Sequence, residues 1–405
     1  MRSVETSAGR LRLSSGLAAT LTVLILAGLI YWKAQANYRS HDALNSNFFS
    51  FWLSGRMVWT GENPYDPAQF QAGFDTYGAT YRPSRTLQYP LPLMYFMAPI
   101  GALPVQTGYF VWELVSQAIL VLVIYLLLPP QPRARFLLAP LTAFMLFFGP
   151  VYLSLQIGSV GPLSLLGLGL GLWCLRKGWA VPAGLALSLT LLKPSQALPL
   201  LALAGLWFLL RGLRRVILGL ALGAAALLAA WLARDPLGLV KFRASSDFLL
   251  GHSLGMQSNV YGFAYLACGR NVPCMWTLGS ALLAAVLALS AYVLWRNRSR
   301  WTDWEAMNVV IPVGFVCTLY LYSYDQLPYV IPVVWITTRL LGTRRPYLAA
   351  FAFLAVLDLA SFAALTAQDF TGQDLLSILN TVLVLGATAW LLKRAHGDAA
   401  VASGA

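Results

Sequence analysis

The segment 41–67, HDALNSNFFSFWLSGRMVWTGENPYDP, carries the first side chains that could perform chemistry. Asp42 and Asn47 follow an apolar run closely. Tyr65 and Asp66 stand in the turn sequence NPYDP, where we expect them to bind substrate. A carboxylate such as Asp42 at the mouth of a cavity can act as a general base toward an acceptor hydroxyl. The alternative is an ordinary polar loop, a helix and a turn, and spacing alone favours that alternative.

Lys193 is a second candidate, because it lies in an apolar stretch that is interrupted by Pro194. A lysine surrounded by apolar sequence needs an anionic partner, and a lipid phosphate would supply one. Gln156 and Gln196 could add neutral hydrogen-bond donors, and an interrupted helix exposes backbone N–H groups that favour phosphate. The alternative is that the long side chain reaches up to the membrane interface.

Tyr324 and Asp325 stand between two apolar runs near the end of the chain. They form either a polar turn, which spacing by itself favours, or a site that binds sugar hydroxyls, with Asp325 as a base. Lys241 and Arg243 belong to another polar segment and could meet anionic headgroups or the donor phosphate, with a solvated loop at least as well supported. His252, in the same segment, is a candidate for substrate binding and by itself is no metal signature. No His-Glu-x-x-His or Asp-x-Asp pattern occurs, so neither a metal nor another cofactor is expected.

The composition indicates that a membrane positions these residues. Hydrophobic residues make up 58% of the 405 residues and charged residues only 11%, against about 25% charged residues in soluble domains. The net charge of +13 falls in short clusters between apolar runs. Such clusters set membrane orientation, so we expect no nucleic-acid partner.

Apolar runs of helical length predict an all-α polytopic membrane protein with about twelve spans. The three runs within 161–210 are short and interrupted by Gly and Pro, which is typical of helices that line a cavity. The predicted spans are 14–32, 105–129, 136–153, 161–175, 179–193, 194–210, 216–233, 275–296, 304–322, 326–342, 346–366 and 375–393.

The distribution of Lys and Arg predicts that both termini are cytoplasmic and that the long loops 33–104 and 234–274 lie outside. The first loop contains an aromatic stretch, 47–59, which predicts an interfacial helix. Residues 1–395 are expected to form a single domain, followed by a disordered tail, 396–405. In an oxidising compartment Cys268 and Cys274 could form a disulfide.

The order of several motifs resembles glycosyltransferase family 87. The motifs are NFFSFWLSGRMVWTGENPYDP, LQYPLPL, APIGALP, LQIGSVGPLSLLGLGLGL, AGLALSLTLLKPSQALPLL and YSYDQLPYVIP, and together they extend to about residue 340. The resemblance implies a bundle of the GT-C type and an enzyme that transfers a sugar, such as mannose or a related hexose, from a polyprenyl-phosphate donor. It also implies an acidic general base just before the Phe of the first-loop helix. Asn47 occupies that position here, so Asp42 or Asp325 is expected to take the role.

We therefore expect an inverting, metal-independent glycosyltransferase in the bacterial cell membrane, with its active site on the extracytoplasmic face. Its partners would be a polyprenyl-phosphate sugar, a lipid or glycan acceptor and membrane lipids. A transporter or flippase of lipid-linked sugars is the alternative, because polar groups at interrupted helices suit it as well. A catalytically impaired member of the family is a further alternative, because Asn47 cannot accept a proton.

Overall fold

The computed structural model describes the backbone of residues 2–131, 135–252, 257–269, 271–343 and 345–402. It describes side chains in these ranges from residue 20 to 245 and from 257 to 396. This part of the chain is helical and contains no strand, as the apolar runs predict. The helices are α1 (Arg2–Ser40), α2 (Asn47–Thr60), α3 (Pro67–Tyr77), α4 (Leu91–Gly101), α5 (Val105–Leu127), α6 (Leu138–Phe147), α7 (Gly149–Gln156), α8 (Gly161–Arg176), α9 (Ala180–Ser188), α10 (Pro194–Leu210), α11 (Arg214–Arg234), α12 (Gly238–His252), α13 (Val260–Cys268), α14 (Val272–Asn297), α15 (Asp303–Val316), α16 (Val330–Leu340), α17 (Pro346–Thr371) and α18 (Ile378–Ala402).

Five of the helical segments described are long and apolar enough to cross a membrane. They are α5, α11, α14, α17 and the segment Leu375–His396. The pair α6 and α7 would add a sixth crossing, although the two helices are bent by 69°. The chain is therefore a multi-pass membrane protein by length and composition, but the predicted count of twelve spans is not confirmed.

The interrupted runs are present as short helices rather than as full spans. The predicted spans 161–175, 179–193 and 194–210 correspond to α8, the segment Ala180–Leu192 and α10. The predicted spans 304–322 and 326–342 are wrong in extent, because α15 has 14 residues and α16 has 11. About 17 residues are needed to cross the hydrocarbon core. Between these two helices the chain leaves the α-helix and forms a 3₁₀ helix over Ser323–Tyr329.

Helix α2 corresponds to the predicted helix 47–59, but its aromatic face is buried rather than interfacial. Phe48, Phe49 and Trp52 are fully buried, and the indole of Trp52 donates a hydrogen bond to the carbonyl of Leu103 at 3.0 Å. The face is covered by α4 and by the start of α5, which pack against α2. The first loop is therefore a packed structure that fixes the position of α2.

Glycines permit the close approach of α2 and α4. A Cβ atom at Gly55 would lie 2.5 Å from the carbonyl oxygen of Met97, and one at Gly101 would lie 2.2 Å from the backbone nitrogen of Arg56. Neither position has room for a side chain, because the neighbouring atoms belong to the backbone. Small residues at helix interfaces allow this kind of contact in membrane proteins.

The second loop and the C-terminus add two observations. Cys268 and Cys274 form a disulfide between the end of α13 and the start of α14. Helix α18 continues to Ala402, into the range 396–405 for which the sequence predicts a tail.

Candidate active site

A cavity of about 380 Å³ lies between the first loop and the segment that follows α15. We call it the tyrosine cavity, because five of its lining side chains are tyrosines. Its volume lies within the range of small-molecule sites. It is lined by Asn47, Ser50, Phe51, Phe70, Tyr81, Pro83, Ser84, Leu87, Gln88, Tyr89, Ile157, Ser159, Tyr320, Tyr322, Tyr324 and Gln368.

The residues that line the cavity after α15 alternate along the chain, from the bend at Tyr320 into the first turn of the 3₁₀ helix. Tyr320, Tyr322 and Tyr324 face the cavity, whereas Leu321 and Ser323 are buried on the other side. Tyr322 has extended backbone angles, with φ −106° and ψ 165°, and precedes the 3₁₀ helix. The rings of Tyr322 and Tyr324 are stacked, with centroids 5.5 Å apart. Hydroxyl groups and ring faces of this kind can bind sugar hydroxyls and apolar sugar faces.

A buried ion pair lies next to this wall. The ammonium of Lys193 is 2.5 Å from Oδ1 of Asp325, and the two residues are only 2% and 1% exposed. Oδ2 of Asp325 accepts a hydrogen bond from the backbone N–H of Tyr322 at 3.1 Å. The ring of Tyr324, which lines the cavity, lies 5.5 Å from the Lys193 ammonium, whereas neither Lys193 nor Asp325 is among the lining residues. The structure therefore brings together two predicted site residues that are far apart in sequence.

Local sequence explains why both members of the pair point inward. Pro194 begins α10 and keeps Lys193 out of the helix, with φ −129° and ψ 74°. Asp325 lies in the 3₁₀ helix Ser323–Tyr329, and its carboxylate caps the start of that helix. An ammonium and a carboxylate this deeply buried need each other, because an unpaired buried charge is costly.

Asn47 lines the tyrosine cavity, but Asp42 is not among the lining residues. The hydroxyl of Tyr81 donates a hydrogen bond to Oδ1 of Asn47 at 3.2 Å. Asp42 is exposed, and its carboxylate accepts hydrogen bonds from Nδ2 of Asn45 at 2.7 Å and from the N–H of Leu44 at 3.0 Å. These bonds, led by the one from Asn45, lower the pKa of Asp42. Its position and basicity both make it a weaker candidate for the base.

Gln156 and Gln196, which the sequence predicts as neutral hydrogen-bond donors, are not among the residues that line the cavity. Gln196 is buried in the first turn of α10, and its Nε2 has no hydrogen-bond partner. The carbonyl of Gln156 accepts a hydrogen bond from the hydroxyl of Tyr109 at 2.7 Å. Ile157 and Ser159, which follow Gln156, are the residues of this segment that reach the cavity.

Tyr65 and Asp66 contribute through structure. The hydroxyl of Tyr65 donates a hydrogen bond to the carbonyl of Tyr89 at 2.7 Å and so supports a cavity residue. The carboxylate of Asp66 caps α3 by accepting hydrogen bonds from the N–H groups of Ala68 and Gln69. The predicted contact of Asp66 with substrate therefore has a competing structural explanation.

The second polar segment lies apart from the tyrosine cavity. Arg243 is exposed on α12 and does not line the cavity. A smaller cavity of about 350 Å³ separates α12 from the first loop, with Tyr65 and Lys241 on opposite sides and Gln88 shared with the tyrosine cavity. The side chain of His252 lies outside the described residues.

Gln257 and Asp374 are two further buried residues at this site, and Asp374 was not predicted. Both accept hydrogen bonds from the backbone of the segment that carries the three tyrosines. Asp374 ends the short connection between α17 and the last helix, beyond the motifs of the resemblance. No sequence signal distinguishes it from an ordinary polar residue at the end of a span. In the described residues no group of three His, Cys, Asp or Glu side chains could hold a metal ion.

The described residues thus define a helical membrane protein with a polar, tyrosine-lined cavity beside a buried ion pair. The family model of glycosyltransferase family 87 matches residues 87–319, which is more than half of the chain. The chain therefore belongs to glycosyltransferase family 87, which confirms the resemblance and makes it a membrane glycosyltransferase. The matched range contains Tyr89 and Lys193 but neither Asn47 nor Asp325. No curated protein matches the chain.

Proposed function

We propose that this protein transfers a hexose, mannose or a close relative, from a polyprenyl-phosphate donor to a lipid or glycan acceptor. The reaction takes place in the tyrosine cavity, on the extracytoplasmic face, with inversion at the anomeric carbon and without a metal. The observation that carries the proposal is the buried pair of Lys193 and Asp325 beside a cavity of hydroxyl groups and aromatic rings. This arrangement offers a cation for the donor phosphate and a carboxylate for the acceptor.

The ion pair supports a mechanism in which the donor exchanges partners with it. The donor phosphate is an anion, so it competes with Asp325 for the ammonium of Lys193. When the phosphate takes the ammonium, the carboxylate loses its partner and becomes a stronger base. Neither Lys193 nor Asp325 lines the cavity, so the exchange requires that a lining residue near the ion pair, such as Tyr324, moves. The base is thereby withheld until the donor is bound.

The chemical step that follows balances without a further reactant. The acceptor hydroxyl oxygen forms a bond to the anomeric carbon, and its proton passes to the carboxylate of Asp325. The bond between the anomeric carbon and the phosphate oxygen breaks, and the polyprenyl phosphate leaves with the electron pair. The ammonium of Lys193 stabilises the charge on the departing phosphate. A single displacement of this kind inverts the anomeric configuration.

The geometry favours Asp325 over the two other candidates for the base. Asn47 lines the cavity but cannot accept a proton, and Asp42 is exposed and held by Asn45. Tyr324 is a poor base as well, because burial raises its pKa well above the usual value and keeps the hydroxyl protonated. Asp325 is the carboxylate whose immediate neighbours, Tyr322 and Tyr324, line the cavity.

Two observations support the outer location of the site and cytoplasmic termini. Every segment that lines the tyrosine cavity falls on the predicted outer side of the membrane. These segments are 47–89, 157–159, 320–324 and Gln368. The disulfide Cys268–Cys274 joins residues of the predicted second outer loop. Disulfides form in oxidising compartments, so the bond favours an outer position for that loop.

The test is a transfer assay with the purified full-length protein in detergent. Synthetic polyprenyl-phosphate mannose and glucose would be supplied with a lipid extract as acceptor, and released polyprenyl phosphate would be measured. We expect release that depends on the acceptor and an inverted linkage in the product. Movement of the donor across vesicles without release would favour the transporter alternative. Absence of both activities with every donor would contradict the proposal and favour an impaired family member.

A further inference from the structure

The backbone of the tyrosine segment, residues 320–324, is held by side chains from distant parts of the chain. The N–H of Leu321 donates a hydrogen bond to Oε1 of Gln257 at 2.9 Å. The N–H of Ser323 donates one to Oδ2 of Asp374. Because these two amides alternate with the tyrosines, each bond fixes the chain between two side chains that face the cavity.

Gln257 and Asp374 are themselves fully buried and part of a polar network. Nδ2 of Asn259 donates to Oε1 of Gln257 at 2.9 Å. The hydroxyl of Ser377 donates to the backbone carbonyl of Asp374 at 2.9 Å, which fixes the turn that carries the carboxylate. The position of the tyrosine segment is therefore coupled to the junction between α17 and the last helix.

A buried carboxylate is a costly way to accept one backbone hydrogen bond. Asp374 is 1% exposed, and no ion pair to it occurs among the side chains that the structure describes. A neutral amide could accept the same N–H at a lower desolvation cost. Charged acceptors do, however, make stronger hydrogen bonds than neutral ones. The bond from Ser323 offsets part of this cost, while Oδ1 of Asp374 has no hydrogen-bond partner among the described residues.

We propose that Asp374, together with Gln257, is a positioning residue that holds the tyrosine segment in the conformation that binds the sugar of the donor. The proposal rests on the function proposed above, since it assigns the support for one wall of the same cavity. Asp374 acts through the backbone of Ser323 and does not contact substrate. Its loss therefore weakens donor binding more than it slows the chemical step.

The ionisation of Asp374 predicts that donor affinity depends on pH. Burial raises its pKa to about 7, and the carboxylate of Asp325 adds to the increase. The hydrogen bond from the backbone N–H of Ser323 acts in the opposite direction and favours the ionised form. The ionised form accepts the bond from Ser323 more strongly, so donor affinity falls as the pH falls through about 7. Below that pH the protonated carboxyl holds the segment more weakly.

The experiment compares Asp374→Ala, Asp374→Asn and the control Asp369→Ala, which removes an exposed carboxylate from α17. Two measurements are made on the full-length protein in detergent. One is the KM and kcat for polyprenyl-phosphate mannose between pH 6 and pH 8. The other is hydrogen exchange of the peptides that cover residues 318–326. Thermal unfolding verifies that each variant is folded.

We expect Asp374→Ala to raise KM by about tenfold to a hundredfold with a smaller change in kcat, because it removes a bond to a charged acceptor. The same variant exchanges amide hydrogens in 318–326 faster. Asp374→Asn keeps a neutral oxygen for Ser323, so its KM should be close to that of the wild type at pH 6, below that of Asp374→Ala, and should not change with pH near 7. Asp369→Ala behaves as the wild type.

Equal KM values, pH profiles and exchange rates in Asp374→Ala and Asp369→Ala would overturn the inference. The two proposals fail in different ways. A wild-type protein without transfer activity contradicts the proposed function, while faster exchange confined to Asp374→Ala would still support the positioning role. Unchanged exchange in that variant overturns the positioning role even if the wild type is active.

Discussion

Removing one charge of the buried pair Lys193 and Asp325 should destabilise the protein far more than removing both charges. In Asp325→Asn the Lys193 ammonium keeps its charge but loses its anionic partner. Lys193 is only 2% exposed, so water cannot replace that partner. Breaking a buried pair in this way costs about 3–5 kcal/mol. Lys193→Gln should cost less, because Oδ2 of Asp325 still accepts the N–H of Tyr322. The double variant contains no buried charge at this site and should recover most of the lost stability.

The assay is unfolding of the purified protein in mild detergent, followed by tryptophan fluorescence. An exposed pair in the first loop, Arg82 and Asp75, provides a matched control, with side chains that are 38% and 67% exposed. Its disruption should cost less than about 1 kcal/mol. Costs below about 1 kcal/mol for Asp325→Asn, or a double variant as unstable as the sum of the single variants, would refute the reasoning.

The same variants separate a structural role from a chemical one. If the pair only stabilised the fold, the double variant would be stable and active. The exchange mechanism requires instead that it is stable but inactive, because it has neither a cation for the phosphate nor a base for the acceptor. We expect a loss of at least about a hundredfold in kcat for every variant that lacks the Asp325 carboxylate.

Three further outcomes are expected. Gly55→Ala places a methyl group against a backbone carbonyl of α4 and should lower stability by about 1–3 kcal/mol in unfolding measurements. Gly205→Ala, where nothing lies within 4 Å of the new atom, should have no such effect, and equal losses would contradict the packing argument. Tyr65→Phe removes the hydrogen bond to the carbonyl of Tyr89 and should cost about 1 kcal/mol of stability and raise the KM of the donor, whereas unchanged values would show that this bond is dispensable. Asn47→Asp adds a carboxylate to the cavity wall and should leave kcat within about threefold if Asp325 is the base, whereas a large gain in transfer activity would identify position 47 as the missing base.

The sequence predicted where helices occur better than how far they extend. Apolar runs predict most of the long helices, but they do not show where a run leaves the helix to line a cavity, and the short helix α3 was not predicted. The stretch 317–322 is apolar enough to continue a span, yet it is not helical, and Gln257 and Asp374 accept hydrogen bonds from the amides of Leu321 and Ser323 at its end. Those bonds join residues more than 50 positions apart, so no local pattern reveals them.

The candidate site was predicted in part for the same reason. Lys193 and Asp325 were recognised as polar residues in apolar surroundings, and the structure brings them together. Their sequence separation of 132 residues hides the fact that each is the partner of the other. The aromatic face of α2 was interpreted as interfacial, because a face that packs on protein and one that packs on lipid have the same apolar composition.

A structure of the protein with a non-transferable polyprenyl-phosphate sugar analogue in a lipid nanodisc would decide whether donor and ion pair exchange partners. The account predicts a phosphate oxygen about 3 Å from the ammonium of Lys193, with the carboxylate of Asp325 released toward the tyrosine cavity. A phosphate bound elsewhere, for example beside Lys241, with Lys193 and Asp325 still in contact, would contradict it.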